Sequence, residues 1–166
     1  MSYTEILKQK KEDSDLIKNK YKLLKKHKAL WLIEINDKEI LDDLIIWLSV
    51  LPSNFVVITK EKYDINYSNV VVLKSIETKV CFDFVVCDNC NDNLLEYMKS
   101  LIVPIVSKEN HLNSILKEFQ PIKNEGNSYL YDNIDKWSIY YAIVRYLENF
   151  KFSFDNKNLV KNLFEI

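Results

Sequence analysis

The chain has 166 residues, 48% of them apolar and 13% aromatic, which is enough for one domain with a sizeable core and argues against disorder. A formal net charge of −1 gives no global attraction to nucleic acid or to an anionic membrane. The single glycine, Gly126, excludes a phosphate-binding P-loop and a GxGxxG dinucleotide turn, since both need several glycines.

In chain order, residues 4–28 read as helix, with a break expected at Asp13-Ser14-Asp15. Ser14 or Asp15 would cap a second helix with Ile17, Tyr21 and Leu24 on one face. This front segment holds nine lysines against four acids, while the remainder is acidic. Arg145 is the only arginine, and lysine, asparagine and isoleucine abound. That bias is compositional, and the lysines of 8–28 read as a solvated helix face.

The run 29–35 is a buried strand, 37–51 a helix with Ile40, Leu44, Leu48 and Leu51 at helical spacing, and 54–59 and 70–73 are further strands. Residues 82–87 form the next strand, followed by a helix carrying Leu94, Leu95, Met98 and Leu101. A strand at 102–106, a helix around 112–119 and a short strand at 128–131 come next. A long helix follows, with Ile134, Trp137, Tyr141, Val144 and Leu147 as its stripe, and a terminal helix at 156–164 ends the chain.

Continuous apolar strands alternating with helices predict a single α/β domain, a Rossmann-like three-layer sandwich with a mainly parallel sheet. The division expected is an N-terminal helical segment, 1–28, and the Rossmann-like domain, 29–166. In such sheets ligands sit at the carboxyl ends of the strands. Here those ends carry Asn36-Asp37-Lys38, Lys60-Glu61, Asp88-Asn89-Cys90 and residues 107–111.

Read in this order, the chain resembles the C-terminal, nucleotide-sugar-binding half of a retaining GT-B glycosyltransferase, most of all glycogen and starch synthases. Residues 29–44 are similar to the family's first strand and its "GRL-x-x-QKG-x-D-L" turn. Asp83-Phe84-Val85-Val86 matches its "D-A-L-L-x-P-S" strand. Leu95-Glu96-Tyr97-Met98 through Pro104-Ile105-Val106 matches "L-x-A-M-x-x-G-x-x-P-V-V". Gly126-Asn127-Ser128-Tyr129-Leu130-Tyr131 matches "G-N-G-F-L-F", and Trp137 to Leu147, including Arg145, matches the closing "A-L-x-x-A-I-x-R-A-L" helix. The order and spacing of these motifs, over residues 17–150, carry the resemblance.

The resemblance implies a set of nucleotide-sugar-binding positions: Lys38, Asp88, Glu96, Asn110 and His111. Lys38 stands at the family's phosphate-gripping lysine, but the partner arginine is replaced by Ile33. An ungapped match back from Pro104 puts Asp88 on the family's loop glutamate, whereas the strand match deletes that glutamate; the deletion fits the Asp83 strand better. Glu96 matches the ribose-contacting acid of E-x7-E families. Asn110-His111 replaces the Gly-Gly of a phosphate turn, where side chains crowd a backbone-amide anion site. Each also has an ordinary reading: a solvated lysine, a strand-end cap, an exposed helix acid, a lone histidine. No catalytic residue, metal site or cofactor is implied.

The expected function is therefore a degenerate glycosyltransferase domain acting as a non-catalytic binding or interaction module, as a homo-oligomer or with a protein partner. The leading helix, through Ile6, Leu7, Ile17, Tyr21 and Leu24, is the expected contact. One alternative is a half-enzyme using ADP- or UDP-glucose with a separate N-terminal partner. Another is a thiol-redox protein using the C-x-x-C of Cys87 and Cys90. Against the latter, a buried strand-end Cys87 is expected to stay reduced. With no signal-peptide core, no apolar run long enough to span a bilayer and an odd cysteine count, the expectation is a cytoplasmic protein with neither membrane nor nucleic-acid partners.

Overall fold

The computed structural model describes residues 1–89 and 93–166. Among them, five α-helices and six strands follow in the order α1 (Tyr3–Lys20), β1 (Leu30–Glu34), α2 (Lys38–Leu48), β2 (Asn54–Ile58), β3 (Val70–Leu73), β4 (Phe84–Cys87), α3 (Leu94–Lys99), β5 (Val103–Ser107), β6 (Tyr129–Tyr131), α4 (Lys136–Phe150) and α5 (Ser153–Phe164). The strands form one sheet in the order β3-β2-β1-β4-β5-β6, every pair parallel. This is the doubly wound Rossmann order, and it reverses direction between β1 and β4.

Residues two apart on a strand point to one face. Trp31, Phe84 and Tyr129 share a face with α4, whose fully buried Tyr146 packs its ring 5.7, 4.2 and 4.7 Å from theirs, centroid to centroid. α2 lies beside α4, where Trp47 meets Trp137 at 4.6 Å. On the opposite face, Tyr97 of α3 donates to Glu34 Oε2 at 2.7 Å, and Lys79 donates to Glu34 Oε1 at 2.5 Å. Lys79 belongs to the β3–β4 crossover, which runs without a helix. α1 packs next to α3, and α5 touches both α3 and α4.

Three helical expectations need correction. α1 is one unbroken helix with a Ser2–Glu5 capping box, and it ends at Lys20 rather than running to residue 28, with Lys22 at φ 55° just beyond it. Asp13 does not break it, because its carboxylate is taken by Gln9 Nε2 at 3.1 Å on the helix surface. Residues 112–119 form turns, not a helix. Asn127 competes for that backbone, accepting from Lys117 N–H and donating to Ile115 C=O, each at 3.0 Å. In α4 the buried stripe is Ile139, Ala142, Ile143, Tyr146 and Leu147, whereas Trp137 and Tyr141 of the expected stripe are 66% and 64% exposed. The helix is apolar on most of its circumference, so spacing alone fits two stripes.

Gly126 has φ +96°, and a Cβ there would lie 2.3 Å from the Glu118 carbonyl oxygen, beside the Glu118–Ser128 bridge. Gly126→Ala therefore combines a left-handed backbone with a backbone clash and should destabilise the fold by about 1–3 kcal/mol or more. A lower urea midpoint with an unchanged m-value checks this.

Candidate functional site

The crevice between the carboxyl ends of β1 and β4 is where a doubly wound sheet places its ligand, with anions received by backbone N–H groups at the following helix. Among the described residues, the donors leading into α2 are already occupied. Asp88, the first residue past β4, accepts from Asn36 N–H at 2.8 Å and Asp37 N–H at 3.4 Å through Oδ2, and from Asn36 Nδ2 at 3.3 Å through Oδ1. Asp37, the N-cap of α2, accepts from Glu39 N–H at 2.9 Å and Ile40 N–H at 3.2 Å. Two carboxylates thus occupy the backbone donors at the start of α2, and their charge opposes an anion there.

The other sequence-derived positions point elsewhere. Lys38 Nζ pairs with Asp42 at 2.7 Å on the exposed side of α2, where Tyr63 O–H also donates to Asp42 at 2.8 Å. The Asp42 carboxylate raises the Lys38 pKa and Lys38 lowers that of Asp42, so each holds the other charged. Ile33, at the family's arginine position, is fully buried within β1. Glu96 is exposed on α3 while its neighbour Tyr97 turns inward to Glu34; burial and that carboxylate push the Tyr97 phenol well up. Asn110 lies in the turn after β5, its Oδ1 accepting from Leu112 N–H at 2.9 Å, and His111 is exposed beside it. Among the described residues no group of His, Cys, Asp and Glu is arranged to hold a metal ion.

Arg145, from the closing-helix motif, serves the fold. It pairs with Glu118 at 2.9 Å, donates to Leu130 C=O at 3.1 Å and lies over the rings of Tyr129 and Tyr141. The Asp88 plug was missed by sequence reasoning. The signal for it was the pairing of strand ends, since Asn36 and Asp88 both directly follow apolar runs that prove to be neighbours.

Cys87 is buried at the end of β4, as expected, but it is disulfide-bonded, which corrects the expectation of a reduced thiol there. Cys90 and Asn91 lie outside the described residues. Cys81 is a free, buried thiol whose pKa burial pushes up to about 12.

No protein-family model matches the chain, and no curated protein matches it in sequence. Among solved structures, the crystal structure of the glycotransferase of kitacinnamycin superposes with a TM-score of 0.54 at 12% identity, over 86% of this chain and 40% of that one. The fold is therefore glycosyltransferase-like. The chain spans well under half of that neighbour's length, and at such identity the likeness concerns fold alone. Among the described residues no helix is long and apolar enough to cross a membrane.

Two measurements probe this geometry. Asp88→Ala should lower stability by about 1 kcal/mol in urea unfolding, because the Asn36 and Asp37 donors lose a charged acceptor but regain water. Lys38→Ala, breaking only an exposed pair, should leave the midpoint unchanged within error. For Cys81, alkylation mapped by mass spectrometry should be blocked in the folded protein and appear on unfolding, since burial suppresses the thiolate.

Proposed function

We propose that this chain is a degenerate, glycogen/starch-synthase-like glycosyltransferase domain that works as a non-catalytic binding or interaction module. One observation carries the reading: the Asp88 and Asp37 carboxylates occupy the backbone donors at the start of α2, so the described side of the β1–β4 crevice presents negative charge rather than open N–H groups to a pyrophosphate. Three further facts support it. Ile33 replaces the arginine, Lys38 is spent on Asp42, and no glycine opens the Asn110-His111 turn. Lost electrostatic contacts of this kind cost on the order of 3 kcal/mol each in catalysis.

A module needs a contact surface, and α2–α4 offers a stronger one than the leading helix. Ile6, Ile17 and Tyr21 pack against the core, whereas Trp137 stands exposed against Trp47, which also meets Tyr140, and Tyr141 is exposed beside Arg145. Exposed aromatic clusters of this type are enriched at protein contacts. A homo-oligomer or a protein partner is the occupant this reading calls for.

A second reading, a thiol–disulfide protein, is favoured by the disulfide on Cys87. Mass spectrometry across a glutathione series separates the two readings and identifies the partner cysteine. A bond that opens and closes at cytosolic poise supports redox work; one that resists reduction is structural.

For the leading reading, ligand-observed NMR with ADP-glucose and UDP-glucose at millimolar concentration should show no saturable signal. Glucosyl transfer onto glycogen should not exceed that of a Lys38→Ala control. Saturable donor binding by the wild-type chain would favour the half-enzyme completed by a separate N-terminal partner.

A further inference from the structure

At the opposite end of the sheet from the plugged crevice lies a cleft of about 340 Å³, walled by α1, by residues 25–28 and by Asp83 just before β4. Five lysines line it: Lys10, Lys11, Lys18, Lys25 and Lys28, set against two carboxylates, Asp15 and Asp83. Among the described residues, none of the five ammoniums has a carboxylate oxygen within 4.0 Å. Two of these lysines are not surface groups. Lys10 is 6% and Lys18 8% exposed.

Each buried ammonium has three donors. Lys10 donates to Leu101 C=O at 2.5 Å and Lys18 to Lys28 C=O at 2.7 Å. A carbonyl satisfies one donor but does not neutralise a cation, and burying a cation without a counter-charge is costly. Burial lowers the Lys10 pKa, and the Asp83 charge opposes that shift only in part.

The walls are rigid as well as charged. Asn54, fully buried at the start of β2, clamps Leu24 by accepting from its N–H at 3.2 Å and donating to its C=O at 2.9 Å. The Lys18–Lys28 bond ties the same segment back to α1. The Lys10 and Lys18 ammoniums and the backbone carrying Lys25 and Lys28 are therefore held in place before any ligand arrives.

We propose that this cleft binds a small phosphate compound of two or more negative charges. Its volume lies in the range of small-molecule sites, about 300–1,000 Å³. Buried ammoniums are reached only by a ligand that enters the cleft, which a flat lipid surface does not. Asp15 and Asp83 break up the positive field that an extended nucleic-acid strand would need, and the cleft holds no arginine. The assignment is independent of whether the carboxyl-end crevice once bound a sugar donor.

The experiment is thermal unfolding and titration calorimetry of the whole chain with inorganic phosphate, pyrophosphate and glycerol 3-phosphate, each balanced with KCl to constant ionic strength. Saturable stabilisation is expected, strongest for pyrophosphate, since a ligand that binds only the native state raises Tm. An advantage of glycerol 3-phosphate over inorganic phosphate would assign the site to esters, and the reverse to the free ion. The exposed double variant Lys25→Gln/Lys28→Gln, which should fold normally, should weaken binding by about tenfold or more. Lys18→Met should do the same, while Lys20→Gln, on α1 but outside the cleft, should bind as wild type does. Three results would overturn the proposal: no saturable response, equal loss in Lys20→Gln, or binding to anionic vesicles or oligonucleotides without any response to the phosphates.

Discussion

The structure turns on how β4 is fastened to β1, because the sheet reverses direction at that junction. Two aspartates bracket the pair. Before β4, Asp83 Oδ2 accepts from Leu30 N–H at 2.9 Å, and its own N–H donates to Leu30 C=O at 2.9 Å. After β4, Asp88 takes the N–H groups of Asn36 and Asp37. Between them Trp31 to Glu34 pair residue by residue with Phe84 to Cys87. Side-chain bonds at both ends stop the register from slipping, and in a strand buried on both faces a one-residue slip would invert every side chain.

That fastening has a chemical consequence. A crevice at a switch point is useful when its backbone donors are open to a ligand. Here the donors are used for the fold. The aromatic cluster of Trp31, Phe84 and Tyr146 and the Lys79–Glu34–Tyr97 network stabilise the two faces without calling on the crevice. The architecture is therefore held by contacts outside the crevice, and fold likeness by itself does not assign a function.

The strands were legible in the sequence because burial on both faces writes them as unbroken apolar runs, such as Leu30–Ile33 and Phe55–Ile58. Their alternation with helices led to the parallel, helix-flanked sheet. Two of the misreadings share one cause: the deciding contact lay outside the element. The turns at 112–119 depend on Asn127, more than seven residues downstream. The inward stripe of α4 depends on which ring, Tyr146 or Tyr141, meets Trp31 across the sheet. The candidate site fared similarly. Residue types at strand ends were readable, but Asp88 reaching across to Asn36 required knowing that β1 and β4 are neighbours, although 52 positions separate those two residues. The Lys38–Asp42 pair, by contrast, was open to local reading as an i,i+4 contact on a helix.

The same logic gives the basic N-terminal segment its meaning. A lysine-rich amphipathic helix normally keeps its ammoniums in water, because desolvating them is expensive and nothing in the helix itself repays that cost. In α1, Lys10 and Lys18 instead fall on the buried side with Ile17. They are directed there because their helical spacing matches Ile17 and Ser14 rather than the solvated face of Lys8, Gln9 and Glu12. A sequence that only needed a soluble helix would place apolar residues at those two positions. Lys10 and Lys18 are thus buried at the amino-terminal end of the β1–β4 pair while the Asp88 carboxylate lies at its carboxyl-terminal end, so opposite charges mark the two ends of that pair.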